Sequence, residues 1–174
     1  ATIISRAIFG RATIFDIPYL QLLPISYYGI VILVALASGL AGVIFNWGLL
    51  NIGRFYSLPC FKRPVQKIAF ALICAGILGY FLPEVLGGGN DLINHLAKAP
   101  VSLQLLLIFL AGKLIFTLIS YGCGVPGGFF LPMLVIGALC GSICAQMLIM
   151  LGWIEPAYAT NIMVVAMAAL FASS

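Results

Sequence analysis

Charged residues in this chain fall into islands separated by long apolar stretches. Ile30 to Leu50 runs 21 residues without a charge, about the length a helix needs to cross a bilayer core. Within it, "SGLAG" (Ser38 to Gly42) supplies small residues that let a second helix approach closely. Residues 51–67 then carry Arg54, Lys62, Arg63 and Lys67, with Pro59 and Pro64 and no acid. Ile68 to Leu82 is apolar but short, and both an interfacial start and a continuation through Leu86 are open. Residues 83–100 form a polar connection with Glu84, Asp91, His95 and Lys98, and its triple glycine at 87–89 predicts a flexible or closely packed turn. Val101 to Tyr121 predicts another span, interrupted by Lys113 alone. Phe129 to Trp153 follows, with Gly137 and Gly141 at GxxxG spacing, and a turn around Gly152–Pro156 leads to a last apolar run, Ile162 to Ala172. The residues up to about Phe15 read as the end of one further helix. The pattern predicts an all-α, polytopic membrane protein with about six helices or half-helices, over residues 1–15 and 28–174, and no soluble domain.

One stretch breaks this pattern. Gly122 to Leu134 reads "GCGVPGGFFLPML", four glycines and two prolines between apolar runs. A surface turn would be marked by charges, yet none occurs between Lys113 and Glu155. That stretch is too long for one span and short for two joined by an aqueous turn, so a re-entrant or broken helix is expected. Irregular backbone at membrane depth is tolerated where protein or a water-filled cavity covers it. Gly127 and Gly128 would bring backbone close to whatever fills that cavity. A helix starting near Phe129, with Pro132 in its first turn where a missing N–H costs little, would direct unpaired N–H groups and a positive dipole end into it. Such an end holds an anion without a charged side chain, and without the tight grip of an Arg or Lys that would slow release.

Composition narrows the class. Apolar residues make up 64% of the chain and charged residues 7%, against roughly 25% charged in a soluble domain, so an integral membrane protein is expected. The net charge of +4 arises from eight basic and four acidic residues. That is no nucleic-acid footprint; the basic connection 51–67 instead predicts a cytoplasmic position. Cys60, Cys74, Cys123, Cys140 and Cys144 form no CxxC pair and are read as buried free thiols acting as small apolar residues. Neither a metal site nor a cofactor is expected. The start without Met and the end just after an apolar run suggest an internal piece of a longer polypeptide.

"GVPGGFFLP", preceded by a helix with a mid-span basic residue and earlier by "GGGNDLI", resembles the second half of the CLC family of chloride channels and chloride/proton antiporters. The family pattern G-x-P-G-G-x-F-x-P is matched at Gly124, Pro126, Gly127, Gly128, Phe130 and Pro132, and the order of flanking elements agrees over nearly the whole chain. The resemblance implies chloride as the transported ligand, with fluoride or nitrate as alternatives. It implies anion contacts from backbone N–H groups at Phe129 and Phe130 for a central site and Leu131 toward an outer one, beside Gly128, with Phe130 packing along the pathway. It further implies a homodimer of inverted-repeat subunits, this chain being most of the second repeat. The family's glutamate gate in G-(R/K)-E-G-P and serine ligand in G-S-G-x-P do not occur here; with the site tyrosine and the inner relay acid, they are expected outside this segment. The choice between channel and antiporter therefore stays open.

Other readings have less in the sequence to carry them. Lys113 is read as structural, snorkelling or pairing with a helix carbonyl end, rather than as an anion relay. His95, Glu84 and Asp91 read as ordinary loop residues, and Tyr27 and Tyr28 as interfacial anchors. An intramembrane enzyme would need a nucleophile with a base, two aspartates or a metal motif. The single histidine and the aspartates Asp16 and Asp91 all lie outside the spans. A secondary transporter of another fold, or a non-conducting assembly subunit, remains the alternative class.

Overall fold

The computed structural model describes residues 20–61, 63–98, 101–125, 127–128 and 130–174. Among them every regular element is helical. The helices are α1 (Tyr28–Phe55), α2 (Pro64–Phe81), α3 (Asn90–Lys98), α4 (Leu103–Gly122), α5 (Phe130–Met150) and α6 (Ala159–Ser173). All but α3 are long and apolar enough to cross a membrane, α6 together with the short 3-10 turn Pro156–Tyr158 before it. The helix expected over residues 1–15 lies outside the described residues.

Each boundary has a local cause. The 28 residues of α1 rise about 42 Å, more than the roughly 30 Å of a hydrocarbon core. Its last turn, with Arg54, therefore reaches the polar boundary, where a cation also suits the negative end of the helix. The α2 helix begins with Pro64 at its first position, and the Arg63 N–H donates to Gln66 Oε1 at 3.0 Å. It ends at Phe81, before Pro83, rather than continuing to Leu86. The connection 83–100 is more ordered than its polarity suggests. Leu92, Ile93, Leu96 and Ala97 recur at helical spacing, so α3 forms and packs Leu92 and Ile93 beside Val135 and Ala138 of α5, while Asp91 and His95 stay exposed.

The bundle is organised around α5. That helix carries no charge, and a larger share of it is buried than of any other span among the described residues. Met133, Val135, Ile136, Ala138, Leu139, Ala145 and Leu148 are all buried. Close backbone approach holds it to α6. A methyl group built on Gly137 would lie 2.7 Å from the Met167 Cα, and one on Gly141 2.6 Å from the Met163 Cα. On α1, a Cβ at Gly42 would sit 2.9 Å from the Leu170 carbonyl oxygen of α6, so "SGLAG" is the contact stripe its small residues suggested. In a bilayer, lipid tails are as apolar as leucine, so this fit between small residues holds helices together where hydrophobic burial cannot.

Of the five thiols only Cys123 is buried. Cys60 is exposed, and Cys74, Cys140 and Cys144 are half-buried, which corrects the expectation that all five act as core residues. Four of the five sit on faces that the described residues do not fully cover.

The glycine seams give a direct test. Gly141→Ala should destabilise the purified protein by about 1–3 kcal/mol through overpacking against α6. Gly76→Ala on α2, where a Cβ meets nothing within 4 Å, should be neutral or stabilising by up to about 1 kcal/mol. Thermal unfolding in detergent separates the two.

Candidate functional site

The break between α4 and α5 is built from its glycines. Gly124 adopts φ +84°, a left-handed conformation that stops α4 at little cost because glycine has no Cβ to clash. Its N–H donates to the Tyr121 carbonyl at 3.4 Å. A Cβ built on Gly124, Gly127 or Gly128 would meet nothing within 4 Å. Packing among the described residues therefore does not demand these glycines; they leave backbone bare beside open space. The α5 helix starts at Phe130, with Pro132 third, where its missing N–H leaves no hydrogen bond unmade. Pro126 and Phe129 lie outside the described residues.

The open space is a cavity of about 450 Å³. Gly127, Gly128, Leu131 and Pro132 line it from the start of α5, Lys113, Thr117 and Ser120 from α4, and Gly87 and Gly88 from the turn before α3. Four of the eight expected motif and site residues thus border one cavity, and Gly124 adjoins them. Phe130 does not line it: its ring, 52% exposed, rests edge-on against Phe171 of α6 with centroids 5.3 Å apart.

The triple glycine is the closely packed turn rather than the flexible one. Gly87 and Gly89 take φ +64° and +82°. A Cβ on Gly88 would lie 3.2 Å from Leu131 Cδ1, and one on Gly89 2.6 Å from Val135 Cγ2. At Gly89 the left-handed backbone and the 2.6 Å approach both favour glycine, while at Gly88 the fit is tight. Lys113 fixes the turn there. The Lys113 side chain is 1% exposed, and its Nζ donates to the carbonyls of Val85 and Gly87, both at 2.8 Å. The structural reading of Lys113 is the one observed. Its partners are neutral, so its positive charge stays at the cavity wall.

Thr117 and Ser120 were not singled out from the sequence, although with Lys113 they recur at i, i+4 and i+7 in an otherwise apolar span. A polar stripe on one face of a membrane helix marks a lined cavity. Tyr121 and Cys123 complete that wall. On the other side of the glycine turn, Glu84, Asp91 and His95 border a separate crevice of about 300 Å³, and all three are exposed, as ordinary polar residues would be.

The class these features define is a polytopic helical membrane protein in which two span-length helices, α4 and α5, meet at a glycine-rich connection beside a backbone-lined cavity. The voltage gated chloride channel family matches this chain over residues 1–174, and the chain belongs to that CLC family. Among relatives, the H(+)/Cl(-) exchange transporter ClcA of Vibrio campbellii is 31% identical, over 100% of this chain and 38% of its own length. ClcA of Citrobacter koseri is 32% identical, over 82% of this chain and 31% of its own. A crystal structure of a slow cyanobacterial Cl-/H+ antiporter superimposes with a TM-score of 0.81 at 26% identity, covering 99% of this chain and 40% of that one. The chain thus spans about a third of the length of the curated relatives it matches.

Replacing Lys113 tests the wall. Lys113→Met leaves the Val85 and Gly87 carbonyls without their donor and should cost about 2 kcal/mol. Lys113→Arg keeps a cationic donor and should cost less. Thermal melts of the purified variants read the difference.

Proposed function

We propose that this chain forms one wall of a chloride pathway in a CLC-type chloride/proton antiporter, the anion being held by backbone N–H groups at the start of α5. One observation carries the reading: the break leaves bare glycine backbone and the positive end of a buried helix against a cavity that also borders a buried lysine. The first N–H groups of a helix lack internal partners and point out of its start. Phe129, Phe130 and Leu131 are the proposed donors, with Gly128 beside them. The names of the relatives support the coupling to protons.

The reading extends to the rest of the protein. The segment is most of the second inverted repeat, the gate and relay acids lie elsewhere in a longer polypeptide, and two such polypeptides form a homodimer. The connection 51–67 faces the cytoplasm, a side supported by Arg54, Arg63 and Lys67 without any acid.

The test is chloride efflux from liposomes holding the family-length protein, with external pH recorded together. Chloride flux with protons driven uphill in the opposite direction is expected. Chloride flux without protons would make the protein a channel, and no anion flux from folded protein would sink the reading. Within this assay Gly128→Val should cut flux about tenfold or more, because none of the described residues opposes its side chain and the cavity must accept it. Phe130→Ala leaves the backbone donors in place and should alter flux only about two- to threefold.

A further inference from the structure

The end of α4 walls the cavity, so what holds that end matters to its shape. The last carbonyls of a helix have no partner within it. Here Ser120 O accepts from the Cys123 thiol at 2.9 Å and Tyr121 O from the Gly124 N–H. Ile119 O is served from a distant element: the Tyr56 hydroxyl, 63 residues earlier in the chain, donates to it at 2.8 Å.

Tyr56 lies just beyond α1 and is 2% exposed. Its ring is packed against the α4 terminus so closely that a Cβ on Gly122 would lie 2.7 Å from its Cε2. Phe61 packs tilted and Phe70 edge-on against it, with centroids 5.0 and 6.4 Å away, and Lys67 Nζ sits 5.9 Å from the ring centroid. Burial, with smaller effects from Cys123 and Cys74, pushes the phenol up to about 12, so it remains a hydrogen donor at neutral pH.

We infer that Tyr56 is a positioning residue for the cavity: through Ile119 it fixes the end of α4 whose Ser120, Tyr121 and Cys123 form the wall. Two physical effects follow. The contact ties the basic connection 51–67 to the cavity, so a displacement of one reaches the other. It also occupies a carbonyl at the negative end of α4, which would otherwise oppose an anion nearby. This inference rests on the chloride reading for its functional part and on geometry alone for the clamp.

Two measurements on the family-length protein test these parts separately. Tyr56→Phe keeps the ring and removes the hydroxyl; Phe61→Leu loosens the same cluster and keeps the hydroxyl. The first measurement is maleimide labelling of Cys123 with Cys60, Cys74, Cys140 and Cys144 replaced by alanine. Tyr56→Phe should raise the labelling rate about three- to tenfold, the scale of one lost hydrogen bond. The second is chloride KM against maximal flux in liposomes. Tyr56→Phe should raise KM by a similar factor with maximal flux nearly kept, whereas Phe61→Leu should lower stability and leave KM unchanged. Unchanged labelling in Tyr56→Phe overturns the clamp. Faster labelling with an unchanged KM, or an equal KM shift in Phe61→Leu, overturns its role in positioning the cavity. If wild-type protein carries no chloride, the functional part falls with the chloride reading, while the labelling result still decides the clamp.

Discussion

Lys113 takes a full charge into the middle of an apolar helix, where an unanswered ammonium would be expensive. The carbonyls of Val85 and Gly87 answer it, and much of the architecture near the break follows from that meeting. To offer both carbonyls to one ammonium, the chain must turn sharply at the triple glycine. With the turn fixed on α4, Gly88 lies tight against Leu131, and Gly89 lies against Val135 in a contact that a side chain would have to displace. The first turns of α5 are thereby seated against a turn that is itself fastened to α4. A helix that follows a glycine-rich connection needs such seating, because its opening turn has no preceding helical residues to brace it.

Seen this way, the break is a small rigid assembly. The glycines Gly124, Gly127 and Gly128 are bracketed by two anchored ends: the terminus of α4 under Tyr56, and the start of α5 under the glycine turn. The α5–α6 seam extends the bracing, since Gly137 and Gly141 hold α5 against the backbone of α6 along its length. Preorganised donors of this kind lose little entropy when a ligand arrives.

Much of this was legible in the sequence. Long uncharged runs gave the spans, and the glycine–proline cluster without a nearby charge gave the break. What escaped had physical reasons. The α3 helix hid in a connection because its polar half, Asn90, Asp91 and Asn94, dominates the composition, while four apolar residues at helical spacing decide the structure. Thr117 and Ser120 drew no reading, since their shared face with Lys113 acquires meaning only once a cavity lies beside it. Tyr56 could not be found locally at all. Its partner is a backbone carbonyl, which has no sequence signature, and folding alone brings it near. The place of Phe130 beside a pathway rests on family resemblance alone; the contact its ring makes is with Phe171.

The outlying helix α2 buries only Ala71 among its residues, yet it meets α4 at two levels. Phe70 belongs to the cluster around Tyr56, and just past the other end Leu82 and Val85 flank Gly112. From Phe70 to Leu82 a helix would rise about 18 Å, close to the roughly 15 Å from Gly112 to Gly122 along α4. So α2 works as a ruler. Its outer face is free to vary in chemistry, but its residue count is not: one residue gained or lost would shift the glycine turn by about 1.5 Å and swing it by roughly 100°, out of register with the lysine that receives it.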